Sequence, residues 1–240
     1  MNTNLPGKLE KALVNNPLLN PNMLGFFQNQ KPKKIVSVND SYMVAGNSDE
    51  LWWYMLCNCK DDFTEFLDGL RRGAHFFAAI SDWMMAEIEV QFDLDWTFPC
   101  IRFYLPDDVE LPKHSLNITA LTPADTEVIF NNSNYQSITS PEYISQQLKL
   151  RPGVAYRDGK ILAGWAMFHD DGALGLLHVL DSYRRQGIAR ALVVELCQRH
   201  RAEGIIPYTS VEPTNKASLG MVRSLGFREL DNIHWCKAVR

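Results

Sequence analysis

The chain has 240 residues, of which 46% are hydrophobic, so it is long and apolar enough for a buried core, but no run of about 18 apolar residues predicts a transmembrane helix. The polar start, residues 1–6, lacks the apolar segment of a secretion signal, and we expect a cytoplasmic protein. The formal net charge of −4 divides into −7 for residues 1–112 and +3 for residues 113–240, a balance that suits an anionic small molecule but lacks the basic stripe of a nucleic-acid-binding protein.

The first half mixes helical and strand periodicity. Apolar spacing predicts three helices and three strands: helices over Leu9–Leu19 (broken at Pro17), Asp61–Arg72 (with Gly73 as C-cap) and Ser81–Val90, and strands over Lys34–Val38, Ser41–Ala45 and Trp52–Cys57. A ligand groove is one interpretation of the many aromatic residues here. Core packing is the favoured one, since apolar residues at these spacings usually face inward.

A charged segment with two prolines, residues 105–114, is the predicted linker between domains at 1–112 and 113–240. The second half then predicts, in order, a strand, two helices and three strands: a strand at 118–121, helices that begin at Pro123 and Pro141 behind Thr122 and Ser140 as N-caps, hairpin strands at 153–157 and 161–168, and a strand at 174–179.

A basic glycine loop follows the last of these strands and leads into a predicted helix that reaches about Glu203. The first backbone N–H groups of a helix lack internal partners, and the helix dipole adds positive charge there. Gly187 and Ala189 leave room for a phosphate, while Arg184 and Arg185 add charge, so the loop predicts a pyrophosphate site. Neither the P-loop nor the dinucleotide-binding pattern is present. The alternative is an ordinary strand-to-helix turn with two solvated arginines.

The spacing Arg184-x-x-Gly187-x-Ala189 resembles the R/Q-x-x-G-x-G/A signature of the GNAT (GCN5-related N-acetyltransferase) superfamily, whose members bind acyl-coenzyme A. A predicted strand at 205–211 separates it from Asn215-x-x-Ser218 and Gly226-Phe227, which resemble the second GNAT motif. The resemblance implies an α/β fold with a mixed sheet, the GNAT acyltransferase fold, preceded by a degenerate GNAT-like or irregular α/β N-terminal domain. The segments 164–167 and 204–208 are similar to the glycine N-acyltransferase-like branch.

The resemblance also implies a cofactor, acetyl-CoA or another acyl-CoA, and the residues that contact it. A strand N–H polarises the thioester carbonyl, the glycine loop holds the pyrophosphate, and the second motif contacts the pantetheine arm. The residues at matching positions are Leu177, His178 and Val179 for the strand, Arg184, Arg185, Gln186, Gly187, Ile188 and Ala189 for the loop, and Asn215 and Ser218 for the arm. Asn215 also suits an N-cap of the following helix, and the two roles are compatible.

The acid and base of the family are missing from their usual positions. Where relatives carry Tyr, Glu, and Glu or His, this chain has Val222, Ala173 and Ser210. The remaining candidates are Glu212, Ser210, which shares a strand face with Glu212, and His178. Asp170 and Asp171 are predicted to form the turn between two strands. The alternatives are a solvated strand-end carboxylate for Glu212 and a core histidine for His178.

Five scattered cysteines indicate reduced thiols, and Cys57 and Cys59 are too close in sequence for a usual zinc pair, so no metal site is predicted. The leading hypothesis is an N-acyltransferase that transfers an acyl group, favoured as acetyl, to a primary amine of a small molecule or amino acid. Two alternatives stay open: a catalytically silent acyl-CoA-binding regulatory module and a protein N-acetyltransferase.

Overall fold

A computed structural model describes residues 3–136 and 138–240 of the protein. Within this part the chain forms two compact units. The first contains the residues up to Arg102 together with Val211–Asn215 and Glu229–Arg240, and the second contains Phe103–Ser210 and Lys216–Arg228. Each unit combines helices with a mixed sheet, so the predicted α/β class is confirmed.

The first unit begins with two helices and continues with strands and helices in alternation. Its elements are α1 (Gly7–Asn15), α2 (Pro21–Asn29), β1 (Pro32–Val38), β2 (Ser41–Asn47), β3 (Leu51–Leu56), α3 (Lys60–Asp68), β4 (Ala74–Ser81), α4 (Asp82–Gln91), most of β5 (Asp93–Tyr104) and most of β11 (Arg228–Val239). The strand order is β1-β2-β3-β4-β11-β5. β3 and β4 are parallel, whereas the β1–β2, β2–β3 and β4–β11 pairs are antiparallel.

Two large apolar clusters, and a smaller one formed by Ala79, Cys100 and Ile233, contribute to the core of the first unit. Leu9 and Leu13 of α1 pack in one cluster with Tyr54 of β3, while Phe63 and Phe66 of α3 pack in the other with the β3 neighbours of Tyr54. Successive β3 side chains therefore enter different clusters, as strand alternation requires. The predicted core role of the aromatic residues is confirmed for Tyr54, Phe63 and Phe66.

A buried arginine links distant segments of the first unit. Arg102 is 3% exposed; its Nε donates to Asp231 Oδ1 at 2.7 Å, its Nη1 donates to Asn22 Oδ1 at 2.8 Å, and its Nη2 donates to the second oxygen of Asp231. Two parallel N–H···O bonds to one carboxylate hold both groups in a fixed orientation.

Replacing Arg102 by methionine is expected to lower the free energy of unfolding by about 2–4 kcal/mol, because the buried Asn22 and the half-exposed Asp231 both lose their charged donor. Denaturant unfolding measures the change. Lys8→Met is the matched control, since the pair of Lys8 with Asp40 is exposed and contributes little. Equal stability of the two variants would show that the Arg102 network is not structural.

The second unit contains β6 (Ile118–Ala120), α5 (Thr126–Asn131), α6 (Pro141–Leu150), β7 (Val154–Asp158), β8 (Ile161–Phe168), β9 (Leu174–Val179), α7 (Ile188–Ala202), β10 (Tyr208–Val211) and α8 (Lys216–Ser224). Its strand order is β10-β9-β8-β7-β6. The β6–β7, β7–β8 and β8–β9 pairs are antiparallel, and β9–β10 is parallel. Val211, the last residue of β10, falls in the first unit.

Helices cover both faces of the second unit's sheet. Ile129 of α5 and Ile144 of α6 pack with Trp165 and Met167 of β8 in one buried cluster. The alternate residue Phe168 instead stacks on His200 of α7, with ring centroids 4.6 Å apart. The sheet therefore has α5 and α6 on one face and α7 on the other.

The cap predicted for α6 is confirmed, since Ser140 Oγ accepts a hydrogen bond from Tyr143 N at 3.1 Å. Thr122 forms a capping box with Asp125 at the start of a short 3₁₀ turn, Pro123–Asp125, and α5 itself begins only at Thr126. The prediction that Gly73 caps α3 is wrong: α3 ends at Asp68 with Gly69 as cap. Gly73 instead exchanges two backbone hydrogen bonds with Arg240.

None of the helices within 3–136 and 138–240 combines the length and the apolar content needed to cross a bilayer. The same residues bring together no group of three or more His, Cys, Asp or Glu side chains suited to a metal ion. The cysteine thiols are all free, and burial raises the pKa of Cys197 and Cys236 to about 12.

The buried His200 makes stability depend on pH. Burial, and then the charge of Arg151, lower the pKa of His200 to about 3, while a backbone contact from Gly172 acts in the opposite direction. The unfolded chain binds this proton near pH 6.5, so the free energy of unfolding decreases as the pH falls from about 6.5 toward 3.

Between about pH 7 and pH 5, His200 is expected to remove about 2 kcal/mol of stability. Unfolding curves at several pH values measure this slope, and His200→Phe is expected to flatten it because phenylalanine does not titrate. The slopes, rather than the absolute stabilities, are compared. An identical slope in the variant would assign the acid sensitivity to other groups.

Candidate functional site

Strand β9 carries a bulge in its middle. Its pairing with β8 changes register between Trp165↔His178 and Met167↔Gly175, and Leu176 has a left-handed backbone with φ +45°. A non-glycine residue in this region is uncommon and strained. A bulge redirects the backbone N–H and C=O groups of a strand, so the amides near Leu177 are displaced from a regular ladder.

β9 and β10 part where the bulge begins. Their pairing in the described part of the chain is the single register Thr209↔Leu174, reinforced by Thr209 Oγ1, which donates to Leu174 O at 2.7 Å. From Gly175 onward β9 keeps its pairing with β8 only. The edge of β9 that follows Leu174 is therefore available to a ligand.

The start of α7 lies close to the end of β9. Gly164 of β8 makes this possible: an ideal Cβ on Gly164 would lie 2.9 Å from Ile188 Cγ2 and 3.2 Å from Val179 Cγ2. A side chain at Gly164 would push Ile188, the first residue of the helix, away from the sheet. The absence of that side chain thus sets the position of the loop.

The loop before α7 has the backbone geometry of an anion site. Gly187, the N-cap, has φ +79° and no atom within 4 Å of its missing Cβ, and Arg185 also has a left-handed backbone with φ +62°. Among the residues that the structure describes, the amides of Ile188, Ala189 and Arg190 donate to no protein acceptor. These uncapped donors and the helix dipole suit the pyrophosphate of a nucleotide cofactor.

The two arginines of the loop differ in how they are held. Arg184 Nε donates to Val179 O at 3.1 Å, and its Nη2 pairs with Asp181 Oδ1 at 2.6 Å, so the guanidinium lies beside the end of β9. Arg185 is exposed. Gln186 also makes a long contact, its Nε2 donating to Ser182 O at 3.5 Å.

His178 faces the cluster formed with α5 and α6. Its ring stacks on Trp165, with centroids 4.7 Å apart and 20° between the planes. Burial, and then the charge of Arg184, lower the pKa of His178, while Asp181 acts in the opposite direction. The ring is thus neutral at neutral pH and held by stacking, which agrees with the core alternative.

The other predicted site residues are divided between the units. Ser210 and Ser218 lie in the second unit, and Glu212 and Asn215 lie in the first. Ser210 Oγ is buried and has no hydrogen-bond partner within the described residues, so it has capacity for a ligand. Asn215 N donates to Glu212 O at 3.0 Å. Burial, and then the carboxylate of Glu212, raise the pKa of Cys100 to about 12.

Sequence reasoning missed a polar cluster at the turn between β8 and β9. Tyr143 of α6 lies with its hydroxyl 3.4 Å from His169 Nδ1 and 3.2 Å from Asp170 Oδ1. The sequence predicts a turn at Asp170 and Asp171, but it gives no sign that His169, the residue before this turn, lies beside Tyr143. Ala173 and Val222, two of the positions where relatives carry acid–base residues, are both buried.

Comparisons with known proteins agree with this architecture. The family described as FR47-like protein matches residues 152–236. No curated protein sequence matches the chain. Among solved structures, a Drosophila protein superposes with a TM-score of 0.71 at 16% identity, covering 83% of this chain and 74% of its own.

Two further structures carry names that state a family. A GNAT-family protein of Novosphingobium aromaticivorans has a TM-score of 0.59 at 16% identity and covers 94% of this chain and 99% of its own. A GCN5-related N-acetyltransferase-like protein of Streptococcus suis has a TM-score of 0.57 at 12% identity and covers 97% and 98%. At these identities the similarity establishes the fold alone: the chain has the GNAT acetyltransferase fold.

Proposed function

We propose that this chain, which has the GNAT acetyltransferase fold, is an acyl-CoA-dependent N-acyltransferase that uses acetyl-CoA and acts on a primary amine of a small molecule or amino acid. The observation that carries the proposal is the parting of β9 from β10 after Leu174, at the bulge, with an uncapped helix start directly after β9. A turn that served only to connect a strand to a helix needs no bulge in that strand.

The residues proposed to hold the acyl-CoA fit its chemistry. The pyrophosphate is anionic and requires N–H donors, which Gly187, Ile188 and Ala189 supply without a side chain in the way. Arg184 adds positive charge at the same end of the helix. Ser218, in the first turn of α8, is proposed to contact the pantetheine arm. The role of Asn215, which belongs to the first unit, stays a prediction from the sequence.

The strand edge is proposed to supply the catalytic polarisation. Acyl-CoA provides an activated carbonyl, and a backbone N–H at Leu177 to Val179 is placed to hydrogen-bond the oxygen of that carbonyl. A fixed donor aimed at developing negative charge stabilises the transition state of attack by an amine. Holding amine and thioester together contributes further rate enhancement through proximity.

The alternative, a silent acyl-CoA-binding module, is favoured by one observation. Buried apolar residues, Ala173 and Val222, stand at two of the usual acid–base positions. Binding of acyl-CoA is expected under both functions, so turnover decides between them.

Incubation of the protein with acetyl-CoA and a panel of primary amines is expected to give acetylated product. The panel contains amino acids, diamines, polyamines and peptides with free N-termini, and mass spectrometry detects the product, which avoids interference from the protein's own thiols. Transfer to peptides alone would favour a protein N-acetyltransferase. Binding of CoA by calorimetry without transfer to any amine would favour the silent module, and no binding would overturn both.

Gly187→Val is expected to weaken CoA binding by at least about tenfold, because a branched side chain at φ +79° moves the loop amides and fills the space before the helix. Gly204→Val is the matched control. Gly204 lies just beyond the other end of α7, has φ +69°, and also has no atom within 4 Å of its missing Cβ.

Isothermal calorimetry with CoA measures both variants, and thermal unfolding verifies that they lose similar stability. The expected affinity of Gly204→Val is that of the wild type. Equal affinities for all three proteins would remove the loop from the cofactor site.

A further inference from the structure

We propose that the outer edge of β1 is a self-association surface, at which two copies of this chain pair their β1 strands in antiparallel order about a two-fold axis. The partner is a second copy, and the register places Ile35 opposite Ile35 of that copy. Only residues of the first unit take part, and the pairing does not depend on the proposed function.

β1 is a terminal strand, and among the residues that the structure describes β2 is its one neighbour in the sheet. It is 7 residues long, and all but its first and last residues are exposed. Proteins usually blunt such an edge by shortening the strand, by placing charges along it or by adding a bulge. The terminal strand of the second unit, β6, is blunted by its length of 3 residues. β1 is long enough to pair, so its side chains decide whether it does.

The centre of β1 carries apolar side chains on both faces of the sheet. Ile35 is 46% exposed and pairs with Val44 of the cluster that contains α1 residues, so it lies on the α1 face. Val36 is 39% exposed and pairs with Met43 of the cluster that contains α3 residues, so it lies on the opposite face. An edge protected against pairing carries charges at such positions, whereas β1 offers apolar surface there.

The lysines of β1 leave the centre of the edge open. The ammonium of Lys34 lies 5.9 Å from the ring centre of Trp53 on β3, so this side chain turns inward across β2 and away from the edge. Lys33 occupies a bulge, where the pairing with β2 changes register between Pro32 and Lys34. Positive charge at the edge is therefore confined to the start of the strand and to Lys31 before it.

The charges at the two ends of this edge are opposite. Lys31 and Lys33 are exposed at its start, and Asp40, in the turn after β1, has a side chain that is 77% exposed. The pair of Asp40 with Lys8, 3.4 Å long, is exposed and weak, so the carboxylate can attract a second cation. Antiparallel pairing brings the basic start of each strand to the acidic turn of the other. A second copy thus complements the edge at both ends, whereas an acidic peptide would be repelled at Asp40.

The hairpin determines which backbone groups of β1 face outward. Val38 and Ser41 flank a two-residue turn, and such a closing pair exchanges hydrogen bonds, as do alternate pairs back along the hairpin. The intervening residues, Ser37 and Ile35, therefore direct their N–H and C=O groups to the edge. Lys33, the extra residue of the bulge, is likewise left without a partner on β2.

A two-fold axis at Ile35 uses all three of these residues. It places Ile35 opposite Ile35 of the second copy and Ser37 opposite Lys33 of that copy, so that outward N–H groups meet outward C=O groups on both sides of the axis. Lys31 then lies opposite Asn39 and beside Asp40 of the second copy. Because both copies use the same surface, the pairing closes at a dimer and leaves no further β1 edge exposed.

Sedimentation velocity of the full chain over a range of concentrations tests the pairing. The wild type is expected to change from its monomer mass of 27.4 kDa to twice that mass as the concentration rises through the micromolar range. Ile35→Lys is expected to weaken dimerisation at least about 30-fold, because two like charges would face each other across the axis. The matched control is Ile161→Lys, which adds the same charge at another exposed strand isoleucine and is expected to dimerise like the wild type. Circular dichroism verifies that both variants are folded.

Two cysteine variants test the register in a Cys59→Ser background, since Cys59 is exposed. Ile35→Cys is expected to give a disulfide-linked dimer with oxidised glutathione, because Cα atoms directly opposite each other in an antiparallel ladder are about 5.5 Å apart. Ser37→Cys is the control. Its two copies would lie four residues apart along the paired strands, about 13 Å, and are expected not to link.

A chain that stays monomeric up to about 100 μM overturns the proposal. A dimer that persists unchanged in Ile35→Lys also overturns it, because the interface would then lie elsewhere. Linkage of Ser37→Cys as readily as Ile35→Cys contradicts the register. Species that keep growing beyond two copies contradict the two-fold axis, which closes at a dimer.

Discussion

The geometry of the second unit depends on β9, which cannot follow both of its neighbours, β8 and β10, along its whole length. The strand stays hydrogen-bonded to β8 along its length, while the parallel pairing with β10 is held at Leu174 by backbone register and by the Thr209 hydroxyl. The left-handed Leu176 absorbs the difference, because the extra residue of a bulge lets one strand follow one neighbour and leave another. The cost of that strained residue is offset by the ladder with β8 and by the packing of Leu176 against the cluster under α5 and α6. Gly164 and Gly175 then allow the first residue of α7 and the ring of His169 to approach the strand closely.

Much of the second unit could be predicted from local chemistry. Ser140 marks a helix start because its side chain bonds a backbone amide three residues on, and Thr122 marks the start of a 3₁₀ turn, where the Asp125 carboxylate accepts from the Thr122 amide and hydroxyl. Both are short-range effects that the sequence displays directly. The glycine loop was equally visible, since an N-cap with φ +79° is strongly selective for glycine. The bulge left no comparable signal, because Leu176 is an ordinary apolar residue whose conformation is set by its neighbours in the sheet.

The limits of sequence reasoning are clearest at His169 and in the first unit. Tyr143, whose hydroxyl contacts His169, lies 26 positions before it in the sequence, and no local pattern links the two residues. The sequence of β4 is a continuous apolar run, and its periodicity does not distinguish a strand from a buried helix. β5 contains Pro99, and a proline is unfavourable inside a strand because it has no backbone N–H to donate. The division at residue 112 assumed a linear order of domains. The network of Arg102 with Asn22 and Asp231 instead joins segments from both ends of the chain.

The pairing of β11 with β4 has a consequence for synthesis of the protein. Residues Glu229–Arg240 complete the first unit, because they pair with β4 along Ala74–Ser81 and exchange backbone hydrogen bonds with Gly73. A chain emerging from the ribosome therefore presents β4 with an unpaired edge until the whole of the second unit has been translated. Exposed strand edges favour association between chains. Truncation near residue 228 would accordingly leave an incomplete sheet in the unit encoded first, even though every residue removed comes last in the sequence.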